Sequence, residues 1–286
     1  TIRLSKCETY GNGGSMLPEI IADTRPEDLK ENAIFIFDEN GNDLLDDADY
    51  ITWYAQGPEK VSYNTQSDKY EYLSHDFDTK AYYFFTWDGA NGKRISTLSN
   101  GNTLSFSETV TSYDYMLYHE KNEVNLIKSG RQWWGDKMQG NPSKSFKFTI
   151  QGLVPNKPAQ FTSIIGVRSL NSSYLTLTLN GNTPKTIYGG TVSGKYDDPY
   201  ISNPITINET YTIISDDLNL EYAYNKTQNE SAAWIDYFLL VPKRNLGIFD
   251  NQQIIRNNSF KLNGNVKFQI TGFSPTTYLW DITDIY

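Results

Sequence analysis

Short segments rich in β-branched and aromatic residues recur along most of this sequence, and Gly, Asn, Asp or Pro bounds each of them. The pattern indicates β-strands separated by turns, because branched and aromatic side chains pack well on a pleated surface. The clearest segments are residues 34–37, 50–54, 81–86, 146–150, 174–180, 211–214, 218–224, 235–241 and 266–271. After one of them, Asn180-Gly181 tolerates the two positive φ angles of a type I′ turn and predicts a hairpin.

Helical patterns are scarce. We predict one short helix at residues 25–30, where Pro26 stands near the first turn, and a second at residues 120–128. The predicted fold class is all-β, with an N-terminal β-rich domain followed by a jelly-roll-like β-sandwich and few short helices. The predicted domains are 1–112, the N-terminal β-rich domain; 113–247, the jelly-roll-like sandwich with a helical lead-in; and 248–286, a β segment that joins either the sandwich or the first domain.

Charge and hydropathy restrict the kinds of partner. The 286-residue chain has a formal net charge of −9. Nucleic acids and anionic membranes bind basic surfaces, so this charge argues against both. The sequence also lacks a run of about 18 apolar residues, the length that a transmembrane helix requires. We therefore predict no transmembrane segment.

Few residues suit nucleophilic or metal chemistry, since Cys7 is the only cysteine and His75 and His119 are the only histidines. Cys7 ends an alternating, strand-like run, where a half-buried thiol is a better explanation than a nucleophile that needs a nearby base. His75 lies in a polar turn and His119 begins a mixed helical stretch, and neither has the spacing of a metal ligand. We therefore assign no catalytic residue within this chain.

An acidic, amide-rich loop suits a hard cation such as Ca²⁺. Its oxygen donors fall at positions one, three, five, seven, nine and twelve of an EF-hand-like loop: Asp38, Asn40, Asn42, the Leu44 carbonyl, Asp46 and Asp49. The fit is partial, because Gly41 and Asp43 stand at positions four and six, and an EF-hand has its glycine at six. A solvated turn that hydrogen-bonds to itself explains the same residues, so calcium binding and a plain turn both stay open.

Gly11, Gly13 and Gly14 lie within four positions after strand-like residues, and Pro18 follows them. Glycine alone takes positive φ angles without a steric cost, so these residues predict a tight, irregular turn. Phosphate binding is another property of glycine-rich loops, but no helix pattern follows and the dinucleotide spacing is absent. We favour the structural turn.

Aromatic residues are abundant, with 21 Tyr, 14 Phe and 6 Trp. A β-sandwich that exposes such rings can stack them on sugars, so a carbohydrate-binding protein is one hypothesis. Aromatic side chains are also favoured inside strands, which makes packing the competing explanation. Trp133-Trp134 is either an exposed pair or an anchor between domains. The exposure of the rings distinguishes these explanations.

Several motifs combine glycines, prolines and aromatic residues at long separations: residues 10–19 (YGNGGSMLPE), 33–34 (AI), 49–58 (DYITWYAQGP), 80–84 (KAYYF), 118–131 (YHEKNEVNLIKSGR) and 280–284 (WDITD). In these motifs the sequence resembles the N-terminal region of the PorU-type sortases of the type IX secretion system, which belong to the gingipain-type cysteine peptidase family. The resemblance spans nearly the whole chain.

The resemblance implies a parent protein whose caspase-like catalytic domain, with its His and Cys, follows the N-terminal β domains. Such a protein processes the C-terminal sorting domains of secreted cargo, helps to attach the cargo to lipopolysaccharide, and is exported to the outer-membrane cell surface. This chain then corresponds to a scaffold and docking region without the catalytic domain. Its implied partners are that domain, secreted cargo or other secretion-system components. A gingipain-type inhibitory propeptide and a carbohydrate-binding protein are the alternatives.

A catalytic domain that packs on this chain needs an apolar docking surface with aromatic residues. We expect that surface in the segment 248–286, where Tyr278, Leu279, Trp280 and Ile282 lead toward the catalytic domain.

Overall fold

The computed structural model describes residues 2–98, 105–128, 131–258 and 265–286. Strands dominate this part of the chain, and a 3-10 turn at Leu4–Lys6 precedes the first of them. The strands are β1 (Glu8–Gly11), β2 (Lys30–Asn32), β3 (Phe35–Phe37), β4 (Tyr50–Thr52), β5 (Lys60–Asn64), β6 (Lys69–Leu73), β7 (Phe84–Thr86), β8 (Glu108–Val110), β9 (Ser112–Asp114), β10 (Leu117–Glu120), β11 (Gly135–Met138), β12 (Ser143–Thr149), β13 (Lys157–Arg168), β14 (Ser173–Leu179), β15 (Lys185–Gly189), β16 (Ile205–Ile213), β17 (Asp217–Asn225), β18 (Ala232–Val241), β19 (Lys243–Asn245) and β20 (Val266–Phe268). The predicted all-β class is confirmed. In the same residues no helix has the length and apolarity needed to cross a membrane.

Both predicted short helices are wrong. Residues 25–29 are bends and irregular chain, and β2 begins directly after them. Within 120–128, Val124 and Trp134 each donate a backbone hydrogen bond of 2.9 Å to the other's carbonyl. This long-range pairing satisfies amide groups that a helix would have paired locally. The sandwich therefore has no helical lead-in, and His119 lies in β10 instead of at the start of a helix.

The structure forms two compact units. Of the described residues, unit 1 contains 2–64, 71–98 and 276–286. Unit 2 contains 65–70, 105–128, 131–258 and 265–275.

Unit 2 is built on two antiparallel sheets. Sheet A has the strand order β10-β18-β13-β16, with β11 also paired to β18, and sheet B has the order β12-β17-β14-β15. Within β17, the side chains of Leu218, Leu220, Tyr222 and Tyr224 are buried, and the residues between them are more exposed. A period of two is what an antiparallel sheet with one buried face requires. The β-sandwich that the sequence predicts is confirmed.

Phe238, in β18, is a fully buried side chain of the sandwich core. Its ring centroid lies within 6.4 Å of the ring centroids of His119, Phe146, Phe148, Phe161 and Tyr222. Each aromatic pair of this kind contributes about 0.5–1.5 kcal/mol beyond the burial of its area. Sheets A and B therefore meet through interlocked aromatic rings.

The outer side of sheet A is also covered around Trp134 and Trp234. Both rings are buried and pack with Ala232, and three partly buried side chains, Leu126, Ile164 and Ile201, lie against them. A Cβ atom at Gly166 would lie 2.8 Å from the Trp134 ring. This cover explains why most positions of β18 are buried on both faces of the sheet.

Unit 1 has strands that are much shorter than the longest strands of unit 2, β13, β16, β17 and β18. Its three-stranded antiparallel sheet has the order β2-β1-β7, and β3 pairs with β4. The Arg94 guanidinium supports the start of β1 by donating hydrogen bonds to the carbonyls of Leu4 and Ser5 at 2.8 Å and of Cys7 at 3.2 Å. Polar contacts to the backbone therefore supplement a small apolar core.

We expect Leu177→Ala to lower the free energy of unfolding of unit 2 by about 2–5 kcal/mol, because it leaves a cavity between the sheets. Leu177 is 0% exposed, whereas Leu170, in the same unit, is 47% exposed. Leu170→Ala is thus a matched control that should cost less than about 1 kcal/mol. Urea denaturation of the full chain measures both costs. Equal losses would contradict the packing of sheet A on sheet B.

Candidate functional site

The glycine-rich loop after β1 is a structural turn, as predicted. The φ angles are 85° at Gly13 and 78° at Gly14, a region that strains any other residue. Space is also restricted, because a Cβ atom at Gly14 would overlap the carbonyl oxygen of Gln56. A Cβ atom at Gly13 would lie 2.7 Å from the hydroxyl of Tyr286. Other segments of unit 1 therefore lie directly on this loop.

One side of the loop is closed by Tyr83 and Gln56. The Tyr83 hydroxyl donates a hydrogen bond of 2.9 Å to the Gln56 carbonyl. Its ring lies against Gly11, 2.6 Å from the position of a Cβ atom there. Burial raises the pKa of Tyr83, which keeps the hydroxyl protonated as a donor. Three of the motifs that carry the family resemblance thus meet in space.

The other side of the loop is closed by the segment 276–286. Asn32, buried in β2, donates its side-chain amide to the Ile285 carbonyl at 3.1 Å. The ammonium of Lys30 lies 4.9 Å from the centroid of the Tyr286 ring, in a cation–π contact. We call this arrangement the glycine-loop clamp, which comprises Gly11, Gly13, Gly14, Lys30, Asn32, Gln56, Tyr83, Ile285 and Tyr286.

The clamp shows where the last part of the chain packs, which the sequence left open. Residues 276–286 belong to unit 1, and the described residues from 248 to 275 belong to unit 2. In unit 2, β20 pairs in parallel with β8. The segment 248–286 therefore divides between the two units.

A group of partly exposed rings lies on β3, β4 and the segment 276–286. Phe37 stacks on Tyr50 with ring centroids 5.0 Å apart, and the centroids of Phe35 and Tyr278 are 5.2 Å apart. The hydroxyls of Tyr50 and Tyr278 lie 3.1 Å apart and form a hydrogen bond. Leu279 follows Tyr278 in the chain and is exposed. We call these five residues the aromatic patch.

The aromatic patch contains part of the apolar surface expected in 248–286. Tyr278 and Leu279 are exposed, and Trp280 and Ile282 are half-buried. The contribution from β3 and β4 was not anticipated. Tyr50 is 228 positions from Tyr278, and neither residue's local pattern reveals the other.

The predicted calcium loop joins β3 to β4. Asp46 lies between Asn40 and Asn42, whose side-chain amides each donate to its Oδ2 at 2.9 Å. These two hydrogen bonds lower the pKa of Asp46. Asp38 accepts a hydrogen bond of 2.7 Å from the backbone N–H of Gly41. The structure therefore brings three of the predicted ligands, Asn40, Asn42 and Asp46, into direct contact.

The remaining predicted ligands are engaged with the backbone. Asp49 accepts hydrogen bonds from the N–H groups of Glu39 at 2.9 Å and Asp46 at 2.8 Å. Leu44 forms an isolated antiparallel bridge with Arg3. Among the described residues, no group of three or more His, Cys, Asp or Glu side chains is arranged to hold a metal ion. Calcium binding by this loop stays a prediction.

The side chains of Cys7 and His75 both have structural roles. The Cys7 thiol is buried and donates a hydrogen bond of 3.5 Å to the Arg3 carbonyl. Burial raises its pKa, which disfavours the nucleophilic thiolate. The Nδ1 atom of His75 accepts hydrogen bonds from the backbone N–H groups of Phe77 and Asp78, at 3.2 and 3.0 Å. His75 thus stabilises a turn.

His119 has a partner that the sequence did not reveal. Its Nε2 lies 2.6 Å from Oδ2 of Asp136, which sits at a bulge in β11 with a φ of 41°. The ammonium groups of Lys121 and Lys144 lie 3.3 and 3.7 Å from Oδ1 of Asp136. Burial tends to raise the pKa of Asp136, but the interactions with His119 and then with Lys121 together outweigh burial, and the pKa is lowered. The cluster holds β10 and β11 together beside Phe238.

Trp133-Trp134 is not an exposed pair. Trp133 is 40% exposed, but Trp134 is 2% exposed and belongs to the cover of sheet A. These two residues therefore do not form an aromatic surface for ligand binding.

No protein-family profile and no curated protein matches the sequence. Among solved structures, the chain is similar to the crystal structure of dimeric latent PorU from Porphyromonas gingivalis, with a TM-score of 0.67 and 19% identity. The match covers 90% of this chain and 23% of the PorU chain. The predicted resemblance to the PorU-type sortases is thus confirmed at the level of the fold. The chain spans about a quarter of the length of that relative.

Carbohydrate-binding modules are also similar to part of the chain. The CBM36-1 domain of a multidomain xylanase from the hindgut metagenome of Trinervitermes trinervoides matches with a TM-score of 0.28 and 16% identity, covering 46% of this chain and 94% of that domain. A CBM36 module in complex with calcium and xylotriose matches with a TM-score of 0.28 and 10% identity, covering 46% and 99%. At these TM-scores neither match supports an argument about ligands of this chain.

The clamp predicts different costs for two alanine substitutions. Gly14 and Gly41 have similar φ angles, 78° and 71°, so each alanine carries left-handed strain of about 1–2 kcal/mol. Only Gly14 lacks space, since Gly41 has no heavy atom within 4 Å of a Cβ position. We expect Gly14→Ala to destabilise unit 1 well beyond Gly41→Ala and to speed amide exchange in residues 54–58, which a Cβ atom at Gly14 would displace. Hydrogen exchange followed by mass spectrometry measures this, and equal exchange in the two variants would contradict the clamp.

Proposed function

We propose that this chain is the non-catalytic N-terminal region of a PorU-like type IX secretion sortase. The similarity of its fold to PorU across 90% of the chain is the observation that carries the proposal. The glycine-loop clamp adds support, because three of the motifs that carry the resemblance, at residues 10–19, 49–58 and 80–84, lie against each other there. Motifs that two related proteins share because they determine a common fold are expected to contact each other in the folded chain.

In this proposal the chemistry belongs to a caspase-like domain that follows in the parent protein, and this chain is its scaffold. Cys7 is buried as a thiol and His75 stabilises a turn, so both are used structurally. The clamp suits a scaffold, because Asn32 and Lys30 hold Ile285 and Tyr286 in a fixed position on unit 1. A polypeptide that continues from there leaves unit 1 in a defined direction.

The aromatic patch is the proposed docking surface for the catalytic domain. Tyr rings are enriched at protein interfaces, since they combine apolar area with a polar hydroxyl. The hydrogen bond between Tyr50 and Tyr278 orients both rings before binding, so docking costs less side-chain entropy. Secreted cargo, other secretion components and a location at the outer-membrane cell surface belong to the same proposal.

The docking proposal predicts the effect of removing exposed side chains from the patch. We expect the double change Tyr278→Ala and Leu279→Ala to weaken binding of the separately expressed catalytic domain by about tenfold or more, the equivalent of at least 1.4 kcal/mol. Ile21→Ala is the control, because Ile21 is exposed in unit 1 outside the patch. Isothermal titration calorimetry measures the affinities, and the melting temperature of each free variant checks that it is folded. A reading frame without a caspase-like domain, or a complex indifferent to the double change, would overturn the proposal.

A second part of the proposal is that the β3–β4 loop binds Ca²⁺. Its support is the donor set, which consists of carboxylate, amide and carbonyl oxygens at EF-hand-like spacing. Asn40 and Asn42 present their amide N–H groups to Asp46, so binding requires both side chains to turn their oxygens toward the ion. The loop exchanges its own hydrogen bonds for metal coordination.

Calcium is therefore expected to raise the melting temperature of the chain. A ligand that binds only the native state stabilises it by about 2.7 kcal/mol at a hundredfold excess over its dissociation constant. Asp46→Asn should abolish the shift, whereas Asp47→Asn removes the same charge from a position that is not a predicted ligand and should retain it. Identical melting temperatures in EDTA and in millimolar calcium would leave the loop as a plain turn.

A further inference from the structure

The outer face of sheet B differs from an ordinary solvated sheet face in its side chains. It consists of the alternate residues of β12, β17, β14 and β15 that point away from the core. Long charged side chains commonly keep such faces soluble. Here many positions carry short hydroxyl or amide side chains: Ser145, Thr149, Thr176, Thr178, Thr186 and Asn219.

Two tyrosines form an exposed pair at one end of this face. Tyr174 in β14 and Tyr188 in β15 are direct cross-strand partners, 39% and 72% exposed. Their ring centroids are 6.0 Å apart, and the ring planes are inclined by 52°. The pair therefore presents two adjacent apolar ring faces to solvent, each with a polar hydroxyl. Both rings of this pair are exposed, unlike those of Trp133 and Trp134.

Hydrogen bonds fix several of the short polar side chains. The Ser145 hydroxyl donates to the Asn219 side-chain oxygen at 2.7 Å, and the Thr149 hydroxyl donates to Asp217 Oδ1 at 2.7 Å. Short side chains with fixed orientations lose little conformational entropy on binding. A depression of about 320 Å³ lies at the other end of sheet B from the tyrosine pair, where Lys147, Phe148, Thr149, Asp217, Leu218 and Asn219 line it.

The tyrosine pair and the hydrogen-bonded side chain of Asn219 lie on one continuous face. Tyr174 is paired with Asn225 of β17, and Asn219 is six residues earlier on the same strand. An even separation places both residues on the same side of the sheet, about 20 Å apart at the rise of a β-strand. An extended ligand of several rings can therefore reach both ends.

We infer that the outer face of sheet B binds a neutral oligosaccharide. The C–H faces of a sugar ring stack on Tyr174 and Tyr188, and ring hydroxyls exchange hydrogen bonds with the fixed hydroxyl, amide and carboxylate groups along the face. The charged side chains on the face are Lys147, Asp217 and Glu221, and the chain carries a net charge of −9, which disfavours anionic glycans. This inference goes beyond the scaffold role, since it concerns unit 2 alone.

The test uses the full chain and a panel of linear neutral hexasaccharides, namely cellohexaose, xylohexaose, mannohexaose and galactohexaose, in isothermal titration calorimetry. We expect at least one to bind, and Tyr188→Ala to weaken that binding by about tenfold or more. Tyr188→Phe keeps the ring and should retain most of the affinity. Tyr196→Ala is the matched control, since Tyr196 is fully exposed in the loop between β15 and β16, outside the face.

Two results would overturn the inference. One is the absence of binding to every hexasaccharide at millimolar concentration, which would make the face an ordinary solvated surface. The other is binding that Tyr188→Ala and Tyr174→Ala leave unchanged, which would place the sugar elsewhere. Neither result bears on the aromatic patch of unit 1, so the scaffold proposal is tested separately.

Discussion

The ring of Phe238 is the contact on which the sandwich most depends. Sheet A supplies this ring and that of Phe161, and sheet B supplies Phe146, Phe148 and Tyr222, so the two sheets are joined by side chains from both. Interlocked rings fill the space between the sheets closely, as protein interiors require. Recognition by unit 2 therefore has to use surfaces outside this core. Around Trp134 and Trp234 the outer side of sheet A is already covered, whereas sheet B leaves its outer face open.

Unit 1 is stabilised in a different way. Strands of three to five residues bury little apolar area, and short isolated sheets are marginally stable in water. The stability that the small core does not provide comes from other contacts. They are the hydrogen bonds from Arg94 to backbone carbonyls, the hydrogen bond of the buried Asn32 amide, and the close packing at Gly14. The energy of such polar contacts depends more strongly on the orientation of the groups than the energy of apolar burial does. Of these groups, Asn32 also fixes the position of Ile285.

The sequence predicted the features that depend on near neighbours. Alternation within a segment is a local property, so the strands near 174–180 and 218–224 were found, as was the turn at Gly13 and Gly14. The helix at 120–128 failed because Val124 pairs with Trp134 across a loop, and tertiary pairing overrode local preference.

The parts of the site that escaped prediction are contacts between distant residues. Asn32 and Ile285 are separated by 253 positions, and no pattern in either segment specifies the other. Asp136 was hidden because it lies in a bulge, where the regular alternation of a strand is interrupted. Trp133 and Trp134 do not form an exposed pair, because neighbouring residues of a strand-like segment face opposite sides, and one side is covered here. The calcium loop has the right residue types, but the orientation of its amides is not encoded in their spacing.

The return of residues 276–286 to unit 1 makes most of unit 2 an insertion within the sequence of unit 1. A chain is synthesised from its N-terminus, so β1, β2 and the glycine loop are complete long before Ile285 and Tyr286 exist. The entropy lost on closing a loop grows with the number of flexible residues between its ends, and a folded sandwich shortens that flexible length. It follows that the sandwich folds ahead of the clamp. A protease that cuts unfolded chains would therefore find unit 1 vulnerable throughout synthesis and protected only after its last segment has docked.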